Sequence, residues 1–482
     1  MEKKTDFDTL IEQPDPIMDQ LNRRGFIAGA AAGLAGMMLP AAAKANNPSP
    51  VDGNPEENVL RRISALQAQQ INNVLHIDVA EGPEAVQAAV DEADREGSNK
   101  LVIYGREGEW NRPVYLPSHF TLEILDGVKI TSSMDPEDAN PFEVGAGTVC
   151  GALITNRDHE NGNRNITIKG GFIDFEGVTD ESIVWAPVWL HNCDHCLYDS
   201  IVIENVARSY GPMFSDCRDS VMMDCIGRNI GYDGIAVRLD CRRVDIYRCE
   251  AYNCGGPGIQ AATFGRGAGA PHDVSFINCR TPENIFVHGY EGPGGARGAL
   301  IQGCTAGRIA MIGYVEDFTI TSCKTSSVGL SALSDIIRNG RIDAVTFSDL
   351  YASETDAATR IRSRTDGLIE NISISNCSAR TWGDLRYFGD TLLDEGSAGR
   401  YIDYTNCTFD ARGADGEAAF FRHATEGGMS RVRIHGCKIW NVDRVIEGPV
   451  DGVRIRDCEL HQVGELHDGR LSDLVVRDND DW

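Results

Sequence analysis

Lysine is scarce in this chain. Only 8 of its 45 basic residues are lysine, they face 72 aspartates and glutamates, and the net charge is −27. So acidic a surface is repelled by nucleic acid and by anionic membranes, which excludes both as partners. An acid-rich, lysine-poor surface stays hydrated in concentrated salt, which points to a halophilic source. No apolar run is long enough to hold a bilayer-spanning helix; the candidate, Ile27 to Leu39, stops short, so stable membrane insertion is not expected. The 15 cysteines are odd in number, against a closed disulfide framework, and Cys193-x-x-Cys196 lacks a second pair at zinc-like spacing. Helical periodicity disappears after residue 97.

What is present begins with NRRGFIAGAAAGLAGMMLPAAAKA at 22–45. Arg23-Arg24 lead a weakly hydrophobic Ala/Gly-rich run that ends at the small-x-small site Ala43-Lys44-Ala45. The segment resembles a twin-arginine export signal, which implies folding before export and an extracellular or cell-surface location. A polar linker and a short helix, Val59–Asn72, fill 46–74. A second helix follows at 84–97, with Val86, Ala89, Val90 and Ala93 on one face.

From there a short strand phrase recurs: NITIKGG (165–171), SIVIENV, SVMMDCI, VDIYRCE, VSFINCR, ALIQGCT, FTITSCK, VTFSDLY (345–351), ISISNCS, IDYTNCT, VRIHGCK and VRIRDCE (453–459). Its cysteines stand at 225, 249, 279, 304, 323, 377, 407, 437 and 458, spaced 19 to 30 residues except for one double step after 323. In that double step Leu350 is expected in the cysteine's place. Coils of this length cannot bury their inner faces alone; stacked, they share a core and pair their strands in parallel. The expected fold is all-β: a right-handed parallel β-helix over 75–482 with an N-terminal helical cap. A sandwich or propeller would need shorter, more regular hairpin spacing. The thiols then form an interior column, with a shorter one at Cys193, Cys217 and Cys241. The Asn-x-Ser/Thr triplets at Asn165, Asn371, Asn376 and Asn406 fall in coil phrases and are expected to be turn or ladder residues. The stretch 381–400 reads as an insert, either a groove wall or a surface loop.

One face of such a solenoid lines a groove, where outward side chains of successive coils stack about 4.8 Å apart. The groove strands are expected at 187–193, 211–217, 232–241, 256–264, 284–290 and 307–313. Alternation turns Ile235 and Val237 inward, and sends Trp189, His191, Arg238, Gln260, Phe286 and His288 outward with Asp233 just ahead of its strand. Guanidinium, imidazole, carboxylate and aromatic groups on one groove suit an acidic sugar polymer.

The coil phrases, the helical cap and NITIKGGFIDFEG (165–177) resemble the pectin-lyase-like superfamily, and within it the polygalacturonase type of glycoside hydrolase. Of that family's four signatures, Gly231-Tyr232-Asp233-Gly234 stands where Asn-Thr-Asp-Gly belongs, Val287-His288-Gly289 where Gly-His-Gly belongs, and Arg308-Ile309-Ala310 where Arg-Ile-Lys belongs. The paired aspartates of the second signature are missing: Gly255-Gly256-Pro257-Gly258 holds no carboxylate, and Ala310 replaces the lysine. Inverting hydrolysis needs two carboxyl groups. β-Elimination of a uronate needs fewer parts: a cation or arginine on the carboxylate and a base for the C5 proton. The candidate catalytic residues are therefore Asp233, Arg238, His288 and Arg308, with His191 a rival base. Trp189, His191, Gln260, Phe286 and Tyr290 are candidates for substrate binding. Asp216, Asp240 and Asp245 are candidates for holding calcium, if the site takes a cofactor at all. The expectation is an exported, monomeric protein that cleaves a uronic-acid-containing polysaccharide by elimination or hydrolysis. The alternative is a non-catalytic polysaccharide-binding or cell-surface protein that has lost the acids. Epimerisation shares the proton-abstraction chemistry.

Overall fold

A computed structural model describes residues 54–477, apart from 69–70, 72, 140–141, 145–147, 179–182, 208, 264–268, 290–294, 334, 349–355, 365, 381–384, 415, 426–427, 469–470 and 473–474. The expected export signal and Tyr290 lie outside the described residues.

Each regular coil supplies three short strands, as in Ile235–Arg238, Asp245–Tyr247 and Glu250–Tyr252. Each pairs in parallel with its counterpart in the next coil, so the chain winds into a right-handed parallel β-helix with three faces. Face A carries Ile235–Arg238, face B Asp245–Tyr247 and face C Glu250–Tyr252. All six expected groove strands lie on face A.

The corner between faces B and C shows why the phrase repeats. It turns on one residue in the left-handed conformation: Asp224, Arg248, Asn278, Gly303, Ser322, Ala344, Asn376, Asn406, Gly436 and Asp457. Gly and Asn tolerate that region best, which accounts for their recurrence there. The next residue points inward, and in most coils it is a buried cysteine. The coil without one is corrected by register. Ile342 pairs with Ile374 and Thr346 with Ser378, so the completely buried Val345 stands opposite Cys377. Leu350 lies outside the described residues; the phrase was read out of step, because without a cysteine the apolar alternation has no phase marker. Asparagines also ladder outside the core, Asn371 donating to Asn339 and Asn376 to Asp343.

Helix α1 spans Pro55–Gln67, starting and ending earlier than expected, because Asn54 caps Glu56 and Pro55 opens the first turn. Its Val59, Ile63 and Leu66 pack on Leu197, Val221, Tyr247 and Ile277 of face B. Helix α2, Pro83–Glu96, ends at left-handed Gly97 and buries Val86, Val90 and Ala93 against the first coils, closing the core from above. Residues 385–400 of the expected insert belong to the coils, and 381–384 lie outside the described residues. Tyr387–Leu393 is a face A strand, and Leu385, Phe388 and Leu393 join the core. The aspartate and arginines of that stretch hid its alternation.

Every cysteine except the half-buried Cys254 is buried, and burial holds the Cys254 thiol well above its usual range. Ellman's reagent on the native protein is therefore expected to modify at most Cys254, and slowly, with all 15 thiols reacting in guanidinium. Rapid native labelling of several thiols would contradict the stacked column.

Candidate functional site on face A

Backbone register fixes two neighbouring vertical rows on face A. One runs His191–Ser215–Arg238–Ala262–His288, the other Trp189–Met213–Ala236–Gln260–Phe286–Ala310. Ile235, Val237, Ala261 and Val287, between them in sequence, point into the core. Two imidazoles and a guanidinium thus share one row two coils apart, about 10 Å per interval.

Arg238 is the centre of this arrangement. Its Nη2 donates to Asp233 Oδ2 and to Gln260 Oε1 (2.9 Å), and its Nη1 to the Thr263 carbonyl (3.3 Å). Its guanidinium carbon lies 4.7 Å from the Tyr210 ring centre and 6.0 Å from that of Tyr232. Asp233 and Arg238 are 0% and 3% exposed, so the pair is shared within the face rather than open to a groove. This corrects the expectation of an open catalytic Asp233–Arg238 pair: the aromatic rings and the turns beside each strand roof it over.

His288 is half-buried, its Nε2 shielded from solvent. Burial, helped by the nearby Arg238 charge, pushes its pKa down to about 4. His191 Nδ1 lies 2.8 Å from Ser215 Oγ, which also accepts from Trp189 Nε1 at 2.6 Å. Burial, with a smaller effect from neighbouring His159, brings His191 down to about 4 as well. Both imidazoles are therefore neutral at neutral pH.

Other expected residues fall elsewhere. Trp189 is completely buried beneath Cys150, Val184 and Tyr210, and Phe286, 5% exposed, packs with Ala310, Ile312 and Leu333; neither presents a ring to a sugar. Gln260 is committed to Arg238. Arg308 is on face A but pairs in register with Asn284 rather than His288, and donates to Ser327 Oγ at 3.1 Å. The three proposed metal acids do not gather at one point: Asp216 and Asp240 are neighbours, and Asp245 lies on another face. Asp245 lies on face B, paired with Arg62 of α1, and burial raises its pKa to about 6. Asp216 accepts from the Asp240 amide at 3.0 Å, and Asp240 pairs with Arg242 at 2.8 Å. Among the described residues no group of three or more acidic, histidine or cysteine side chains could hold a metal ion.

The glycines at 255–258 are explained by packing. A Cβ on Gly255 would lie 2.3 Å from the Gly231 carbonyl oxygen, and one on Gly258 would lie 1.9 Å from Thr281 Oγ1. A carboxylate side chain at either position requires the backbone to move.

Further down, the second row continues Ala310–Gly329–Arg360–Asp390–Arg422. Arg422 Nε donates to the buried Asp390 at 2.8 Å and reaches Asp356 at 3.5 Å, while Arg360 bonds Asp356. The Arg422 guanidinium lies 3.8 Å over the Tyr387 ring. This cluster was missed. The outward i, i+2 arginines of TRIRSR are its visible signal; only the register between coils brings Asp390 and Arg422 beside Arg360.

No family model and no curated protein sequence matches this chain. Solved structures do. The tailspike protein of E. coli bacteriophage HK620, in complex with a pentasaccharide, is 14% identical over 82% of this chain and 76% of its own, with a TM-score of 0.59. The A-module of the Azotobacter vinelandii mannuronan C-5 epimerase AlgE4 is 14% identical over 75% of this chain and 97% of its own, with a TM-score of 0.54. At such identity the likeness is one of fold.

Two tests follow from this geometry. Arg238→Met leaves Asp233 buried and uncompensated and is expected to cost about 3–5 kcal/mol, whereas the D233L/R238M double variant recovers most of it; urea unfolding measures both. His288 has a folded pKa below that of the unfolded chain, so the unfolded state takes up the proton first as pH falls. Its stabilising contribution is full above about pH 6.5 and declines towards about pH 4. The wild type should therefore lose stability relative to His288→Gln across that window; a pH-independent difference between the two would contradict a neutral, shielded imidazole.

Proposed function

We propose that this protein is carbohydrate-active, engages a uronic-acid-containing polysaccharide along face A, and is better equipped for β-elimination than for hydrolysis. The observation that carries this reading is the row His191–Arg238–His288, with both imidazoles neutral beside a permanent positive charge. A neutral imidazole can take a C5 proton; an ionised one cannot. A uronate carboxylate arriving next to His288 would raise its pKa towards the range where a base is most effective. Elimination then breaks the C4–O bond and leaves an unsaturated sugar, with the departing oxygen protonated from solvent. Hydrolysis by the polygalacturonase route lacks its parts: the carboxylate of Asp233 is committed to Arg238, and neither Gly255 nor Gly258 has room for another. The fold shared with a tailspike solved with a pentasaccharide and with an enzyme named for mannuronan supports a sugar ligand.

A second reading has its own support. The closed Asp233–Arg238 pair suits a protein that holds the polymer without cleaving it. Export through a twin-arginine signal at 1–45 belongs to both readings and leaves a chain of residues 46–482.

The deciding assay incubates residues 46–482 with polygalacturonate and alginate, in low and high salt, with and without calcium. New reducing ends with ultraviolet absorbance of unsaturated products, lost at least about 100-fold in His288→Ala, are expected. Reducing ends without absorbance would overturn elimination in favour of hydrolysis. C5 inversion without new ends, read by NMR, would mean epimerisation, and retention on a polymer without any product would establish the binding reading.

A further inference from the structure

Along this solenoid several exposed arginines answer an acid on the preceding coil. Arg228 pairs with Glu204 at 2.8 Å, Arg243 with Asp219 at 2.6 Å, Arg248 with Asp224 at 2.5 Å and Arg400 with Glu370 at 2.7 Å. The pattern keeps charges neutralised up the ladder. On the last coils of face B this pairing gives out, as it does where Arg218 stacks on Arg242. Arg433 follows it loosely, 3.7 Å from Asp403, but the next residue in the same row is Arg454, its direct register partner. Two guanidinium-bearing residues therefore stack on adjacent strands, an arrangement that is destabilising unless something negative lies between them. Arg454 makes no ion pair with any described residue.

Arg431 joins them from the neighbouring corner. It and Tyr401 hold successive left-handed positions (φ 58° and 59°) that Asn339, Asn371 and Gly452 fill in other coils. Its guanidinium lies 4.8 Å over the Tyr401 ring and bonds the Tyr401 hydroxyl. Tyr401, Arg431, Arg433, Asp451, Gly452, Arg454 and Val475 enclose a cleft of about 670 Å³. Its lining holds three guanidinium groups and one carboxylate, a local positive excess in a chain of net charge −27.

We propose that this cleft binds an anionic glycan, with a carboxylate or sulfate group held between Arg433 and Arg454. Arg431 supplies a third charge, and the edge of Tyr401 a surface for the sugar. Guanidinium forks match both anions, and three converging on one group bind far better than isolated surface pairs. Asp451 sets one rim and disfavours a second anion beside the first. The cleft is on face B, apart from the row carrying His288, so it serves as a distal site that holds the polymer while face A acts on it. The choice of a glycan as ligand rests on the polysaccharide reading above; the positive cleft does not.

The test compares the whole chain with R433A/R454A and, as a control, Arg61→Ala, an exposed α1 arginine paired only with Glu57. Trigalacturonate, a sulfated dextran oligosaccharide and inorganic phosphate serve as probes in titration calorimetry at about 0.15 M salt. The expected result is a Kd for one of the two glycans raised about tenfold or more in R433A/R454A and unchanged in Arg61→Ala, with phosphate binding weaker than either glycan. Uronan bound and processed equally well by R433A/R454A would overturn the cleft while leaving face A intact. Sulfated glycan bound through the cleft, with no uronan bound anywhere, would sustain the cleft and overturn the uronan reading. Equal losses in both variants, phosphate bound as tightly as the glycans, or no binding of any probe by the wild type would overturn the cleft.

Discussion

Everything in this molecule depends on the backbone hydrogen bonds between one coil and the next. Coil follows coil in parallel register, as in Ile259 on Ile235 and Ile285 on Ile259. Residues 19 or more positions apart in sequence are thereby fixed as neighbours at strand spacing. The constraint acts in both directions. It makes a row of side chains possible, and it requires each coil to turn its corners at the same heights as its neighbours. A single left-handed residue satisfies that requirement between faces B and C, and the cysteine after it fills the space the corner leaves inside. A larger residue there would meet its equivalents directly above and below. Val345 shows that a small branched side chain serves equally well, so packing rather than sulfur chemistry governs the position.

Stacking also determines how charge is managed. A chain with so many acids must keep like charges from lining up along a row, and arginine placed one coil after an acid does this. Arginine suits the task better than lysine because its planar fork spans one strand spacing and bonds a carboxylate with two donors. Exposed pairs of this kind contribute little stability each; their importance is in the register they favour. Arg238 differs. It is buried, its carboxylate partner comes from the turn ahead of its own strand, and it draws in Gln260 from the next coil. Breaking that pair is costly, yet its presence adds little stability over a well-packed apolar pair. A buried pair kept at that cost is best understood through the electrostatic field it sets on its row.

The fold was legible in the sequence because one repeated phrase carried both the corner and the core. The left-handed residue and the cysteine give phase as well as period, and together they placed all six face A strands and the alternation around Val237. Legibility failed where the phase marker was lost. Without a cysteine between Cys323 and Cys377, that coil has no phase marker and its phrase falls five residues late. In the strand Tyr387–Leu393, between Cys377 and Cys407, Asp390 interrupts the apolar pattern and makes it look like an insert. Arg360, Asp390 and Arg422 are grouped only through register, which no single phrase shows. Site residues were legible as to face and row but not as to cover. Alternation correctly sent Trp189 and Phe286 outward, yet outward in a solenoid means only away from the core. Flanking turns and the small sheet that includes Cys150 bury them again. Asp245 was misplaced for a related reason: strand order within a coil, which decides the face, leaves no mark in the local sequence.

Cover also bears on chemistry. A pair as shielded as Asp233–Arg238 cannot exchange its carboxylate for a substrate's without opening, so Arg238 cannot serve as a clamp in the closed form. It can still act at a distance, since its charge reaches His288 through a shielded medium and helps keep that imidazole neutral. The division of labour then runs along the row: the buried pair fixes the protonation state of a half-exposed base, and contact with an anion falls to groups that face solvent. Among the described residues, Arg454 of the last coils faces solvent without an ion pair, and it lies on another face. Holding a charged polymer and transforming it are therefore tasks that this solenoid can assign to separate faces, linked only by the rigidity of the coils between them.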